Sequence, residues 1–308
     1  MNGPFSRRNV ASIALYSVIS GIALSWLLLN VTQPMLTTAV DFSSLKYLVT
    51  LFFQFLISVL ILFAIIHNGF DIISKASRGE MRRVEGPKIK RFTLNQRIQH
   101  VYLFVVTAVL AVTGFAQMYY EAWGRIVINA MGGLAISMDV HLLAGLLLGI
   151  LVAYHFGFYS FGYLAARARG EHPSLPINLG MQDVKDALRN TKRLVLGRGE
   201  EPKYGKYDYA QKFDYWGIYW GMVILGAPGV IIWAYGTTFL GGLPFVFHTS
   251  EAMLAALFLL VFHFYQAHWN PRDFPMNNVF LTGTLSEEEM RDQHPAELER
   301  LKAEGEVQ

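Results

Sequence analysis

The sequence predicts an all-α fold, a polytopic membrane protein with six transmembrane helices. Three observations carry this. Of the 308 residues, 53% are apolar and 16% charged, whereas soluble domains are about a quarter charged. Uncharged apolar runs of about 20 residues, the length that crosses a bilayer core as a helix, recur along the chain. Lysine and arginine are confined to alternate connections between those runs. The absence of cysteine excludes disulfides, cysteine-held Fe–S clusters, zinc ribbons and covalently attached c-type haem.

The first span, Asn9–Asn30, follows Arg7 and Arg8. Its uncharged run of about 22 residues exceeds the 7–15-residue core of a cleavable signal, so a retained helix is expected. The remaining spans are expected at Leu45–His67, Asn95–Met118, His141–Leu164, Phe213–Tyr235 and Val246–Trp269. All of the 26 basic residues except Lys46 and Arg125 lie at the N-terminus, in 68–99, in 165–212 or after Trp269. The positive-inside rule then places both termini and the two long connections in the cytoplasm, which requires an even number of spans.

The composition divides the chain into a two-helix N-terminal membrane unit (1–70), a basic cytoplasmic linker (71–94), a four-helix domain (95–270) and a cytoplasmic tail (271–308). The linker carries Gly79, Gly86 and Pro87. Within the four-helix domain, the cytoplasmic loop 165–212 is too polar to insert. Its Met181–Leu196 stretch has helical periodicity, with Val184, Leu188 and Val195 apolar, and is expected on the membrane surface or against a partner. The tail should form helices at Ser286–Met290 and Pro295–Lys302, the first with Ser286 and Glu289 as a capping box. Pro228 is expected to kink the fifth helix. No long internal repeat is visible.

Nine histidines are present, six of them in the last four spans. His141 and His155 are 14 residues apart on one expected helix, and His248 and His263 are 15 apart on another. At 100° per residue each pair returns to about the same face, separated by about 21–22 Å of rise. One imidazole then lies near each membrane surface on each helix, an arrangement that suits two stacked haems with axial imidazole ligands. The small residues Ala144, Gly145, Gly149, Ala255 and Ala256 would let a flat macrocycle approach. His141 and His248 lie on the outer side. The inner side offers His100, His155 and His263 for two axial positions, while His268, five residues past His263, faces elsewhere. Glu251 shares a face with His248 and is a candidate to carry protons or tune the outer haem. His67 reads as a snorkelling interface residue, and His172 and His294 as surface residues.

Several motifs occur in order: Arg97-Ile98-Gln99-His100 leading to Thr113-Gly114, then His141 with Gly145. Further on come Gly205-Lys206-Tyr207-Asp208-Tyr209-Ala210-Gln211-Lys212, Gly229-Val230-Ile231-Ile232-Trp233, and His248 with His263, Tyr265 and Trp269. Over residues 91–270 the chain resembles the prokaryotic di-haem b-type cytochromes, such as the gamma subunit of formate dehydrogenases and the cytochrome b subunit of Ni-Fe hydrogenases. The resemblance implies two non-covalent b-type haems. It gives His141 and His248 to the periplasmic-side haem and His100 and His263 to the cytoplasmic-side haem, with His155 outside the formate dehydrogenase pattern and an alternative inner ligand. The last histidine pair is one residue closer in that family, so a slight helix irregularity is expected near His248.

The same resemblance implies a bacterial inner-membrane subunit of a respiratory oxidoreductase that exchanges electrons between the (mena)quinone pool and a periplasmic partner. That partner is a multihaem cytochrome c, an Fe–S protein or a larger oxidoreductase. Asp208 stands where the family has Asn, and Gln211 matches the family Gln; both are expected to contact the quinone, with helix capping as the other role of Asp208. The alternative function is a haem-free transporter using intramembrane histidines for metal or protons, which calls for acidic partners along a pore.

Overall fold

The computed structural model describes residues 6–32, 44–77 and 87–307. Expectations resting on the linker residues Gly79 and Gly86, or on segment 33–43, lie outside the described residues. The described residues form helices with two three-residue strands: α1 (Arg7–Leu27), α2 (Leu45–Ser77), β1 (Lys88–Lys90), α3 (Leu94–Met118), α4 (Arg125–Ala130), α5 (Leu134–Ala168), α6 (Met181–Leu196), α7 (Tyr209–Tyr235), α8 (Leu243–Phe258), α9 (Val279–Thr282), β2 (Thr284–Ser286), α10 (Glu287–Gln293) and α11 (Pro295–Ala303). Six helical stretches are long and apolar enough to cross a membrane: Arg7–Val31, Leu45–Ser77, Leu94–Met118, Leu134–Ala168, Tyr209–Tyr235 and Phe239–Trp269. The chain is a multi-pass helical membrane protein.

The ends of these helices differ from the expected ones in informative places. The 33 residues of α2 rise about 50 Å, well beyond a hydrocarbon core of about 30 Å, so the helix continues ten residues past His67. That extension carries Asp71 and Lys75, paired at 2.7 Å. Helix α5 begins at Leu134, so His141 sits two turns inside it rather than at its start. The caps are local chemistry: Thr93 with Gln96, Asp208 with Gln211 and Ser286 with Glu289 each form a reciprocal capping box at the start of α3, α7 and α10. The amphipathic α6 covers the expected residues, with Val184, Leu188 and Val195 exposed and Asn190 and Leu194 buried.

By contacts the chain forms two compact units. One comprises 1–89, 176–277 and 286–308; the other comprises 90–175 and 278–285. The two N-terminal helices are grouped with α7 and α8, and α3 with α5.

In the first unit, α1, α2 and α8 are tied together by polar groups buried among apolar ones. The Tyr16 hydroxyl donates to the Ile65 carbonyl (2.8 Å), its ring lies 4.9 Å from that of Tyr265, and the Tyr265 hydroxyl donates to Asp71 (2.9 Å). Phe53 meets Phe247 edge-on at 5.3 Å. Past Phe258 the sixth span changes pitch, with π turns at Leu259–His263 and Tyr265–Trp269. The irregularity expected near His248 therefore lies beside His263, and Leu243–Phe258 is regular α-helix. The reason is on α2: Asn68, fully buried, donates from Nδ2 to the Val261 carbonyl at 2.8 Å and accepts from Gln266 Nε2 at 2.9 Å. A π turn holds one extra residue, so its carbonyls need other donors, and Asn68 supplies one.

In the second unit, α3 and α5 are joined by Tyr102 to the Leu147 carbonyl (3.3 Å), Gln117 to Ser137 (3.3 Å) and Tyr154 to Asn95 (3.1 Å). The Gly283 carbonyl accepts from the backbone N–H groups of Arg91 (2.8 Å) and Phe92 (3.1 Å), and Arg97 donates to the Leu281 carbonyl.

Candidate functional site

Each unit contains one helix pair in which two candidate histidines have Nδ1 held by a neighbouring helix. In the first unit these are His248 and His263, with α7 packed alongside. His248 Nδ1 lies 2.8 Å from the Leu225 carbonyl oxygen. A carbonyl only accepts, so the proton is on Nδ1 and the lone pair on Nε2. Pro228 lies inside α7 and lacks the N–H that would donate to the Ile224 carbonyl, one residue before Leu225. Gly229 completes the contact, because a Cβ there would stand 3.1 Å from His248 Cε1 and 3.2 Å from Nδ1. At the other end of the pair His263 Nδ1 lies 2.5 Å from Asp214 Oδ2. The carboxylate accepts the Nδ1 proton, again leaving the lone pair on Nε2.

The α3–α5 pair repeats this logic with other residues. Thr113 Oγ1 is 2.8 Å from His141 Nδ1 and 2.7 Å from the Val109 carbonyl. The hydroxyl has one proton; given to Val109, it leaves the oxygen to accept from Nδ1 of His141. Gly114 stands against the same ring, where a Cβ would be 3.0 Å from Cε1. At the far end of α5, His155 Nδ1 lies 2.7 Å from Gln99 Oε1. With Thr113 donating to Val109, all four imidazoles have an acceptor at Nδ1, which suits the tautomer whose Nε2 can coordinate a metal.

No sequence repeat announces this likeness, yet the positions match. Gln99 and Gly114 on α3 are fifteen residues apart, as are Asp214 and Gly229 on α7. The histidines are fourteen apart on α5 and fifteen apart on the sixth span, where the π turn before His263 takes up the extra residue.

The remaining candidates separate clearly. The ring of His100 is half-buried, 5.4 Å from that of Phe280. His268 Nδ1 accepts from the Asn277 backbone N–H at 3.3 Å, the opposite polarity to the four above. His67 is not at an interface: it is buried, with Nε2 3.1 Å from the Tyr209 hydroxyl and Nδ1 3.3 Å from Asn68 Oδ1. His294 is buried too, donating from Nδ1 to the Gly205 carbonyl at 2.8 Å, because the tail folds back to give it that acceptor. His172 is exposed, as expected. Glu251 is buried on α8 rather than solvated, its Oε1 2.9 Å from where a Gly221 Cβ would stand.

Asp208 and Gln211 are both used by the α7 cap: Gln211 N–H donates to Asp208 Oδ1 (2.7 Å) and Asp208 N–H to Gln211 Oε1 (3.3 Å). Burial pushes the Asp208 carboxyl above its ordinary pKa, and the Gln211 backbone N–H only partly offsets this.

Sequence reasoning missed Gln99, Leu225 and Asp214 as ring-holding groups, because each partner lies on a neighbouring helix. Asp214 also adds an acid beside a histidine within the spans. Among the described residues no three His, Cys, Asp or Glu side chains converge as a metal site. A bis-imidazole haem needs no such cluster, since the porphyrin supplies four of the iron's six ligands. The residues present fit that group on two counts: the four rings have the ligating tautomer, and Gly145 and Gly149 on α5 have nothing within 4 Å of a Cβ. No protein-family model matches the chain, and no curated protein matches it.

Proposed function

We propose that this protein is the membrane cytochrome b subunit of a quinone-linked respiratory oxidoreductase. In this reading the chain would hold two b-type haems, which would supply one-electron transfer across the bilayer. The observation that supports it most is the set of four intramembrane imidazoles, each with Nδ1 engaged by a group that fixes the Nε2 lone pair. His141 and His248 would hold the outer haem, and His263 the inner one together with His100 or His155.

The lysine and arginine distribution supports cytoplasmic termini, and the family resemblance supports a bacterial inner membrane. The outer haem then faces the periplasm and a redox partner there, a multihaem cytochrome c, an Fe–S protein or a larger oxidoreductase. The inner haem faces the quinone pool.

The residues divide the work. Thr113, Gln99, Asp214 and the Leu225 carbonyl hold the imidazoles in one tautomer and orientation. Gly114 and Gly229 let the His141 and His248 rings lie against helix backbone. Asp214, a charged partner of His263, would make that imidazole more electron-rich and so favour the ferric state of an iron held there. Asp208 and Gln211 stand at the cytoplasmic start of α7; the raised Asp208 carboxyl holds a proton to higher pH than an ordinary one, which suits proton exchange with a quinone.

Metal transport requires three or more protein ligands converging on the ion, and the described residues do not gather them. The test is a dithionite-reduced minus oxidised visible spectrum of the purified full chain. Cytochrome b bands are expected, and a colourless protein would refute the reading.

A further inference from the structure

The α3–α5 pair contains three histidines, two of which lie near the same end: His100 on α3 and His155 on α5. The family resemblance favours His100. The geometry points to His155: we infer that His155 is the axial iron ligand at that end and that His100 is not a ligand. This inference rests on the cytochrome b reading above and sharpens it.

The first observation is the ring lock. Gln99 Oε1 accepts from His155 Nδ1 at 2.7 Å, the same arrangement that holds His141, His248 and His263. A carboxamide oxygen cannot donate, so the Nε2 lone pair is fixed on His155. Coordination there is a plain donation of that lone pair to iron; Nδ1 keeps its proton and none is released.

The second is positional equivalence. Gln99 and Gly114 contact His155 and His141 in one unit, as Asp214 and Gly229 contact His263 and His248 in the other. The helper residues are fifteen apart in both. The π turn at Leu259–His263 brings the fifteen-residue spacing of one histidine pair into phase with the fourteen-residue spacing of the other. His155 is thus the counterpart of His263, and α7, whose Asp214 matches Gln99, has Tyr215 where α3 has His100.

The third is direction. Adjacent residues on an α-helix diverge by about 100°, so with Gln99 turned to α5, His100 is turned away, and its ring meets Phe280. Finally, Gln99 Nε2 is buried without a hydrogen bond, a donor available to a haem propionate beside His155.

The experiment counts haem per chain by pyridine haemochrome in purified full-length wild type, His155→Ala and His100→Ala. Loss of half the haem is expected in His155→Ala, and no loss in His100→Ala. Because an alanine variant could fail to fold, His155→Met is titrated potentiometrically in parallel. A thioether ligand favours ferrous iron, so one midpoint potential should rise. Full haem in His155→Ala with half lost in His100→Ala would overturn the inference, as would unchanged potentials in His155→Met. Wild type without haem would overturn the cytochrome reading as well, which keeps the two failures apart.

Discussion

Asn68 on α2 hydrogen-bonds the π-turn segment that carries His263. Its amide donates to the Val261 carbonyl inside the π turn and accepts from Gln266, at 2.8 and 2.9 Å, and both Asn68 and Val261 are fully buried. In a soluble core, orphaning two such groups would cost about 1–3 kcal/mol each. Within a membrane bundle, measured interhelical hydrogen bonds are weaker, about 0.6 kcal/mol on average and up to about 1.7. The expected cost of Asn68→Leu is therefore about 1–3 kcal/mol in total, or about 2–4 °C of thermal midpoint per kcal/mol.

The functional consequence should exceed the stability loss. Without Asn68 the Val261 carbonyl is satisfied most cheaply if the π turn relaxes to α-helix. That removes the inserted residue and turns His263 by about 100° relative to His248. His263 would then leave Asp214, and on the proposed function half of the haem should be lost. The assay is a thermal melt in detergent alongside the reduced-minus-oxidised spectrum. An Asn68→Leu protein with full haem content and an unchanged midpoint would refute the claim that α2 sets the register of His263.

Three further predictions follow from the ring-holding groups and the α7 cap. Thr113→Val keeps the shape but removes the acceptor for His141 Nδ1; haem affinity on the His141 side should fall about 10–100-fold, read by haem titration of the apoprotein. Asp214→Asn removes the charge beside His263, so one midpoint potential should rise while the other stays; two unchanged potentials would contradict the role given to Asp214. Asp208→Ala should cost about 1 kcal/mol through the lost cap, whereas Asp208→Asn keeps an acceptor for the Gln211 N–H. The sign of the pH effect follows from the raised carboxyl: the folded state disfavours the ionised form, so no penalty exists below the ordinary value of 3.8, and it grows as pH rises toward the folded-state value. Thermal melts should therefore show wild type losing stability relative to Asp208→Asn as pH rises above about 4.

The parts of this molecule legible in sequence are those fixed by local or one-dimensional physics. Six spans follow from length and hydropathy, the Ser286–Glu289 capping box from its three-residue spacing, and α6 from its periodicity, and all are present. The histidine pairs are also local, since one-face spacing is a property of a single helix. What could not be read is the partner on the next helix. Gln99 reads in sequence only as part of a motif, and Asp214 and Leu225 carry no signal of their own; each gains its role from the neighbour it meets. The π turn is legible only as a one-residue excess between His248 and His263. Its place beside His263 depends on Asn68, nearly two hundred residues earlier. His67 and His294 were misjudged for the same reason, because Tyr209 and the Gly205 carbonyl bury them from distant parts of the chain.

The most direct test of the central claim counts iron-protoporphyrin in the purified full-length chain and in a His141→Ala, His248→Ala double variant. The account predicts two b-type haems per wild-type chain and one in the double variant, the survivor being the haem held by His263. A wild-type chain binding none, or a double variant that keeps both, would contradict it.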